Sequence, residues 1–344
     1  MASYDLPSDQ QFLETLMRSS ASPHLSGMRD LLVKQAYDAI DEQIEKVIID
    51  ERDRETYLKI QLDSIDPVRT FQNDAVHSVK SRALDCLGTE GKSLDQVPVG
   101  ALSVVEMNAF AIRTPRGGAA VALNGSLWPF LKIADYCILA IMYRETAGAI
   151  GAHHSDETYA LNLLTLVDAI RDGAILVMVT DGENSIADCV GPAARPDRFV
   201  AWTIIIQLTF ILLHEYGHIF HGHLDTNLTR QAVVEGEDID VYLTSHWQEF
   251  EADEFAIRRL LLSTHEEAVR HHYITALIVL FLLFDMCENI GDSRILGTHP
   301  KSRDRLKRIH EVCRTVCGED SWSRFRGSAD YAGHIFESLK EYGL

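Results

Sequence analysis

The sequence predicts an α+β chain that is predominantly helical, with one small sheet. Three observations predict it. Apolar residues recur at helical spacing over long stretches on both sides of the chain's middle. Two short apolar runs between 101 and 123 are separated by Pro115, Gly117 and Gly118, the pattern of two strands and a turn. The most apolar stretch, Phe199 to Leu213, runs 15 residues without a charge and ends in 214-HEYGH-218. A run that is apolar on all sides reads as a buried helix, and two histidines and a glutamate at its end need compensation that an apolar core does not supply.

Residues 8 to about 90 read as helical. In 29-RDLLVKQAYDAIDEQIEKVIIDERD-53, Leu31, Leu32, Ala36, Ile40, Ile44 and Ile48 form a helical stripe with charges between them. That region is read as a helical cap or as an arm for a regulatory partner. The glycine-rich, polar 88-GTEGKSLDQVPVG-100 reads as a linker. It divides an N-terminal helical region, 1–90, from a domain over 91–344. Val104, Val105, Phe110 and Ile112 suggest one strand and Ala119–Leu123 a second. Helices follow at 128–146 and 157–171, a strand at Ala174–Val179, and a loop at 181-DGENS-185. The rest reads as helices at about 197–222, 243–263, 265–288, 300–316 and 328–341.

Composition narrows the function classes. With 344 residues, 46% of them hydrophobic, 24% charged and only nine prolines, the chain is an ordinary globular one. A net charge of −19 repels nucleic acid and anionic lipid, so neither is expected as a partner. The N-terminal MASYDLPSDQ has acids and no apolar core, which is not a signal peptide. The uncharged runs at 199–213 and 273–284 hold 15 and 12 residues, short of the roughly 20 that a membrane span needs. Six scattered cysteines without a CxxC read as reduced thiols. The expectation is a soluble protein of the cytoplasm with no membrane span.

His214 and His218 are four apart, so on a helix they share a face and can grip one ion. Glu215 is offset by about 100° and suits a base acting on water rather than a ligand. Zinc takes two imidazoles and a carboxylate and keeps a fourth position open. The pattern HExxHxxGxxH is excluded, because 221 is His and 224 is Leu, with His223 one position off. A later helix, 246-HWQEFEADEFAIRRL-260, offers Glu249 as third ligand and Asp253, four residues on, to hold a ligand histidine. Glu251 and Glu254 are expected to face elsewhere, and the small Ala252 and Ala256 to let the helix approach closely. His221 and His223 read as surface groups or as groups just outside the ligands. His271 and His272 read as solvent-facing in a charged patch, and Trp247 as packing. Thr298 before His299 and Pro300 reads as a helix cap.

The stretches HEYGHIFHGHL, EFEADEFA and 297-GTHPKSRDRL-306 together resemble zinc peptidases of the gluzincin clan, the HtpX-like and CAAX-prenyl-protease-like group. The stretch 108-NAFA-111 followed by Arg116–Gly118 resembles that group's strand beside the active-site cleft. The soluble Lit-type peptidases are a related possibility in the same clan. The resemblance implies a zincin-like metallopeptidase core with an HExxH active-site helix. It implies one Zn2+ per chain on His214, His218 and Glu249, with Glu215 as general base and Asp253 orienting a ligand histidine. It implies His299 near the developing oxyanion and Arg305 packing back on the site. Asn108, Ala109, Phe110 and Ala111 would be the strand that pairs with an extended substrate. The spacing from this strand to the histidines is long for the group, which points to an insertion at about 145–195. The function expected is hydrolysis of peptide bonds in an intracellular protein. The alternatives are a catalytically idle metal-binding regulator on the same fold, and a helical scaffold whose first 90 residues carry the function.

Overall fold

A computed structural model of the chain describes residues 7–19, 75–102, 109–124, 127, 131, 134–135, 197–225, 229–234, 237–242, 245–289, 299–327, 330 and 333. The helices expected at 29–53 and 157–171, the strand at 174–179, the insertion at 145–195, and Val104, Val105, Asn108 and Thr298 lie outside the described residues. So do all but 131, 134 and 135 of the helix at 128–146, and all but 330 and 333 of that at 328–341.

The described residues form a mostly helical α+β arrangement around a small three-stranded sheet. In chain order these are α1 (Asp9–Ser19), α2 (Ala75–Leu87), a 3-10 turn (Gly88–Glu90), the single turn α3 (Gly91–Leu94), and β1 (Val99–Leu102), β2 (Ala109–Arg113) and β3 (Ala119–Asn124). Then come α4 (Asp197–Phe220), a 3-10 turn (His223–Asp225), β4 (Thr229–Val234), β5 (Glu237–Tyr242), α5 (His246–Leu262), α6 (Glu267–Asn289) and α7 (Ser302–Cys317). The sheet order is β1-β3-β2, with β1 parallel and β2 antiparallel to β3. The β2–β3 turn falls at the expected residues. Gly117, at φ 81°, takes the left-handed conformation that only glycine adopts without strain, and Thr114 N–H donates to the Gly118 carbonyl at 3.0 Å.

The stretch expected to be a linker is structured. Thr89, Glu90, Lys92 and Ser93 face solvent, while Gly91, Leu94 and Val97 are buried, so its polarity is that of an amphipathic surface turn. Val79, Ala83 and Leu87 of α2 sit in the main core with α4, and Leu13, Leu16 and Met17 of α1 pack on Leu102, Ile112, Ala120 and Ala122 of the sheet. Asp9 caps this contact, accepting from the Thr114 hydroxyl in the β2–β3 turn.

Helix α4 runs through the centre, packed by α2, α5, α6 and the sheet. Its apolar residues face all directions because protein covers most of its surface. The helices that hold the two uncharged runs are longer than those runs, at 24 and 23 residues. By length and composition each could cross a membrane, but 83% of the apolar window of α4 and 61% of that of α6 is buried within the protein. The β4–β5 hairpin was not anticipated, although Ile239 and Val241 alternate with acids, and Glu235–Gly236 is a two-residue connection between Val234 and Glu237. The hairpin lies beside β2 without pairing to it. His272 also departs from expectation. It is buried, stacked on Trp202 at 4.3 Å between ring centres, and burial, aided by His271 and Arg82, pushes its pKa down to about 4.

Asp135 is fully enclosed, and its carboxyl accepts from the Gln207 amide at 3.3 Å. Burial pushes its pKa up to about 8, against the opposing pull of Gln207. An unfolded aspartate titrates near about 3.9, so between about pH 4 and pH 8 the folded chain holds a proton that the unfolded chain lacks. Asp135 thus costs the fold least below about pH 4, and stability falls by about 1.4 kcal/mol per pH unit as the pH rises toward 8. Asp135→Asn keeps an acceptor for Gln207 and removes the proton. Its melting temperature is expected to match the wild type near pH 4 and to exceed it increasingly toward pH 8. Parallel curves would show that Asp135 is already ionised in the fold.

Candidate metal centre

The site is built at the crossing of α4 and α5. Gly217 makes the crossing close, since a Cβ there would lie 3.0 Å from Ala252 Cα and 3.3 Å from Ala252 Cβ. Ala252 and Ala256 are fully buried against it. Helix α5 starts sharply, because the Ser245 hydroxyl accepts from Gln248 N–H and the Gln248 side chain accepts from Ser245 N–H. Glu249 therefore falls in the first turn, where the helix dipole favours a negative charge. Gly217→Ala forces a methyl group against the Ala252 backbone at this crossing. It is expected to cost about 1–3 kcal/mol by overpacking and to weaken metal uptake by moving the helix that carries Glu249. Thermal melting and zinc titration of the variant check both effects.

The structure brings His214, His218 and Glu249 together, all buried. Their imidazole Nε2 atoms stand 3.1 Å apart, and Glu249 oxygens lie 3.3 Å from that of His214 and 3.4 Å from that of His218. Nitrogen and oxygen ligands at about 2.0–2.1 Å from a tetrahedral zinc are themselves about 3.3–3.4 Å apart, so this donor set fits that ion. His214 Nδ1–H donates to Asp253 at 2.9 Å, and Arg305 donates to both oxygens of Asp253 at 2.8 and 2.7 Å. His299 Nδ1–H donates to Glu249 at 2.5 Å. Ala111 N–H of β2 donates to Glu215 at 2.6 Å. Of the sequence-derived site residues, only Asn108 is outside this description.

Electrostatics favour a cation here. Burial would lower the His214 pKa, but Asp253 and Glu249 outweigh it and hold the imidazole at about 10. Burial would likewise raise Asp253, yet Arg305 and His214 bring its carboxyl to about 2. Glu249 is held well below the usual carboxylate range by His299, His214 and His218, against burial. A pocket that binds a proton so firmly, with Glu215, Glu249 and Asp253 set against Arg305, carries surplus negative charge for a metal ion.

A cavity opens from this cluster. Ala109, Leu127, Phe210, Ile211 and Phe284 form an apolar wall, and Glu215, His299 and Glu288 supply polar groups. The cap expected from Thr298 and Pro300 is not what starts α7. The helix begins at Ser302, whose N–H and hydroxyl both donate to Glu288 of α6 at 2.9 and 2.5 Å. Trp247 does not pack; it is 64% exposed. Glu254 faces away, to Arg258 and Arg308, but Glu251 turns to His223, which is buried against His218. Of the two places left open for His223, on the surface or just outside the candidate ligands, it takes the second, and its position one residue off the HExxHxxGxxH pattern was the signal.

No curated protein and no solved structure matches the chain. Residues 183–323, the span that holds α4 to α7 and with them both histidines, Glu215, Glu249, Asp253, His299 and Arg305, match the family model of Peptidase U49, so that this part of the chain is similar to a peptidase family.

Proposed function

We propose that the chain is a soluble zinc-dependent endopeptidase with a zincin-like core of the gluzincin type, hydrolysing peptide bonds of an intracellular protein. One observation carries the reading: the His214–His218–Glu249 cluster reaches, through His214, a cavity that Glu215 also lines, within the span that matches Peptidase U49. That family is the Lit type of the two groups the sequence resembles. Zinc is favoured over magnesium or calcium because two of the three donors are imidazoles. When bound, it would supply Lewis-acid polarisation of the scissile carbonyl and lower the pKa of water.

The chain's own residues divide the remaining work. Glu215, with Oε2 fixed by the Ala111 amide, keeps its other oxygen to take a proton from water and pass it to the leaving amine. His299 would face the developing oxyanion from the cavity wall. Strand β2 is the candidate for binding an extended substrate. Phe110, Ile112 and Thr114 direct their peptide groups to β3, so that of Ala111 turns to the outer edge, where its N–H meets Glu215. The test compares new protein termini in cells carrying the wild type and Glu215→Gln, with metal analysis of both purified chains. Termini specific to the wild type, with zinc in both chains, support the proposal. Zinc without cleavage favours the idle metal-binding regulator, and neither result together overturns the metal reading.

A further inference from the structure

We propose that His223 and Glu251 are positioning residues that hold His218 in the tautomer able to bind the metal; this rests on the zinc reading above. The turn that brings His223 into place is local. Gly222, at φ 71°, ends α4 in the left-handed conformation, and the 3-10 turn His223–Asp225 folds the chain back over the last turn of the helix. His223 becomes buried, with its ring centre 5.1 Å from that of His218, and His221 stacks on its other side at 5.5 Å.

The contact is Nδ1 to Nδ1, at 2.9 Å. Two such atoms can bond only if one carries a proton and the other a lone pair. His218 Nε2 faces His214 and Glu249, so a cation there needs the Nε2 lone pair, and the His218 proton must sit on Nδ1. His218 then donates and His223 accepts. A neutral His223 that accepts at Nδ1 carries its own proton on Nε2, which lies 3.3 Å from Glu251 Oε2. The opposite direction would put the His218 proton on Nε2, between the three donors, and close the site. By attracting the proton of His223 to its far nitrogen, Glu251 selects the open arrangement. The histidines are thus supported from opposite sides: His214 by Asp253 and Arg305, His218 by His223 and Glu251.

The test measures zinc affinity of the full chain by competition with a chelating dye, alongside metal-free thermal melting and the visible spectrum of the Co2+-loaded protein. His223→Phe keeps an aromatic ring and loses both bonds; it is expected to bind zinc about 10–100-fold more weakly and to alter the Co2+ spectrum. His223→Asn places an oxygen near the Nδ1 position and is expected to recover most of the affinity. Glu251→Gln, which keeps an acceptor, should stay near the wild type, and Glu251→Leu should fall toward His223→Phe. Wild-type zinc affinity in His223→Phe, or in Glu251→Leu should the Phe variant fail to fold, overturns the proposal. Asparagine as weak as phenylalanine at equal melting temperature also overturns it. A wild-type chain that takes up no zinc instead overturns the metal reading on which it rests.

Discussion

Glutamine in place of Glu215 is expected to lower peptide hydrolysis about 10²–10⁴-fold while zinc content and fold stay as in the wild type. The substitution isolates proton transfer because of how Glu215 is held. One of its oxygens accepts from the Ala111 amide at 2.6 Å, and the carbonyl oxygen of glutamine can accept the same bond. The side chain therefore keeps its place beside β2, and the change is confined to basicity: an amide does not take a proton from water near neutral pH. Glu215 is not among the cluster of His214, His218 and Glu249, so uptake of the ion does not depend on it. Rates measured on a peptide cut by the wild type, with zinc determined on the same samples, separate the two effects. Lost zinc in the glutamine variant would place Glu215 among the ligands. Full activity with zinc retained would remove it from the chemistry.

How much of this could be read in advance depended on whether the signal was local. The helix boundaries of α4 to α7 followed from apolar periodicity and lie within a few residues of expectation. The donors His214, His218 and Glu249 were legible because helical spacing fixes which side chains share a face, and two helices sufficed to build the cluster. The glycine–alanine contact that brings those helices together showed only in part, through Ala252 and Ala256; the partner glycine lay inside the motif itself. What was missed or left open depends on chain reversal. His223 reaches His218 only because Gly222 turns left-handed, and the β4–β5 hairpin was hidden by four acids in eight residues over 235–242. The amide of Ala111 on Glu215 joins residues 104 positions apart, and no pattern in either segment announces it.

Removing the Asp253 carboxylate is expected to be the most destabilising single change in the site. Arg305 is buried, its guanidinium lies 4.8 Å from the ring centre of Phe281, and it donates from two nitrogens to the two oxygens of Asp253. Asp253→Ala leaves that charge enclosed without its closest counter-charge, a situation that costs about 3–5 kcal/mol. The same change frees His214 Nδ1 from its acceptor and is expected to weaken zinc binding about 10–100-fold. A second substitution separates the two consequences. In Asp253→Leu with Arg305→Met, apolar groups replace the whole ion pair, and such replacements are commonly neutral or stabilising. The double variant should therefore regain most of the lost stability in a denaturant titration and still bind zinc weakly, because His214 Nδ1 lacks its carboxylate acceptor in either variant. Recovery of both properties would mean that Asp253 acts on the metal only through the fold. Loss of neither in Asp253→Ala would show that Arg305 finds Glu215 or Glu249, the other two carboxylates whose charges it feels, at no cost to the site.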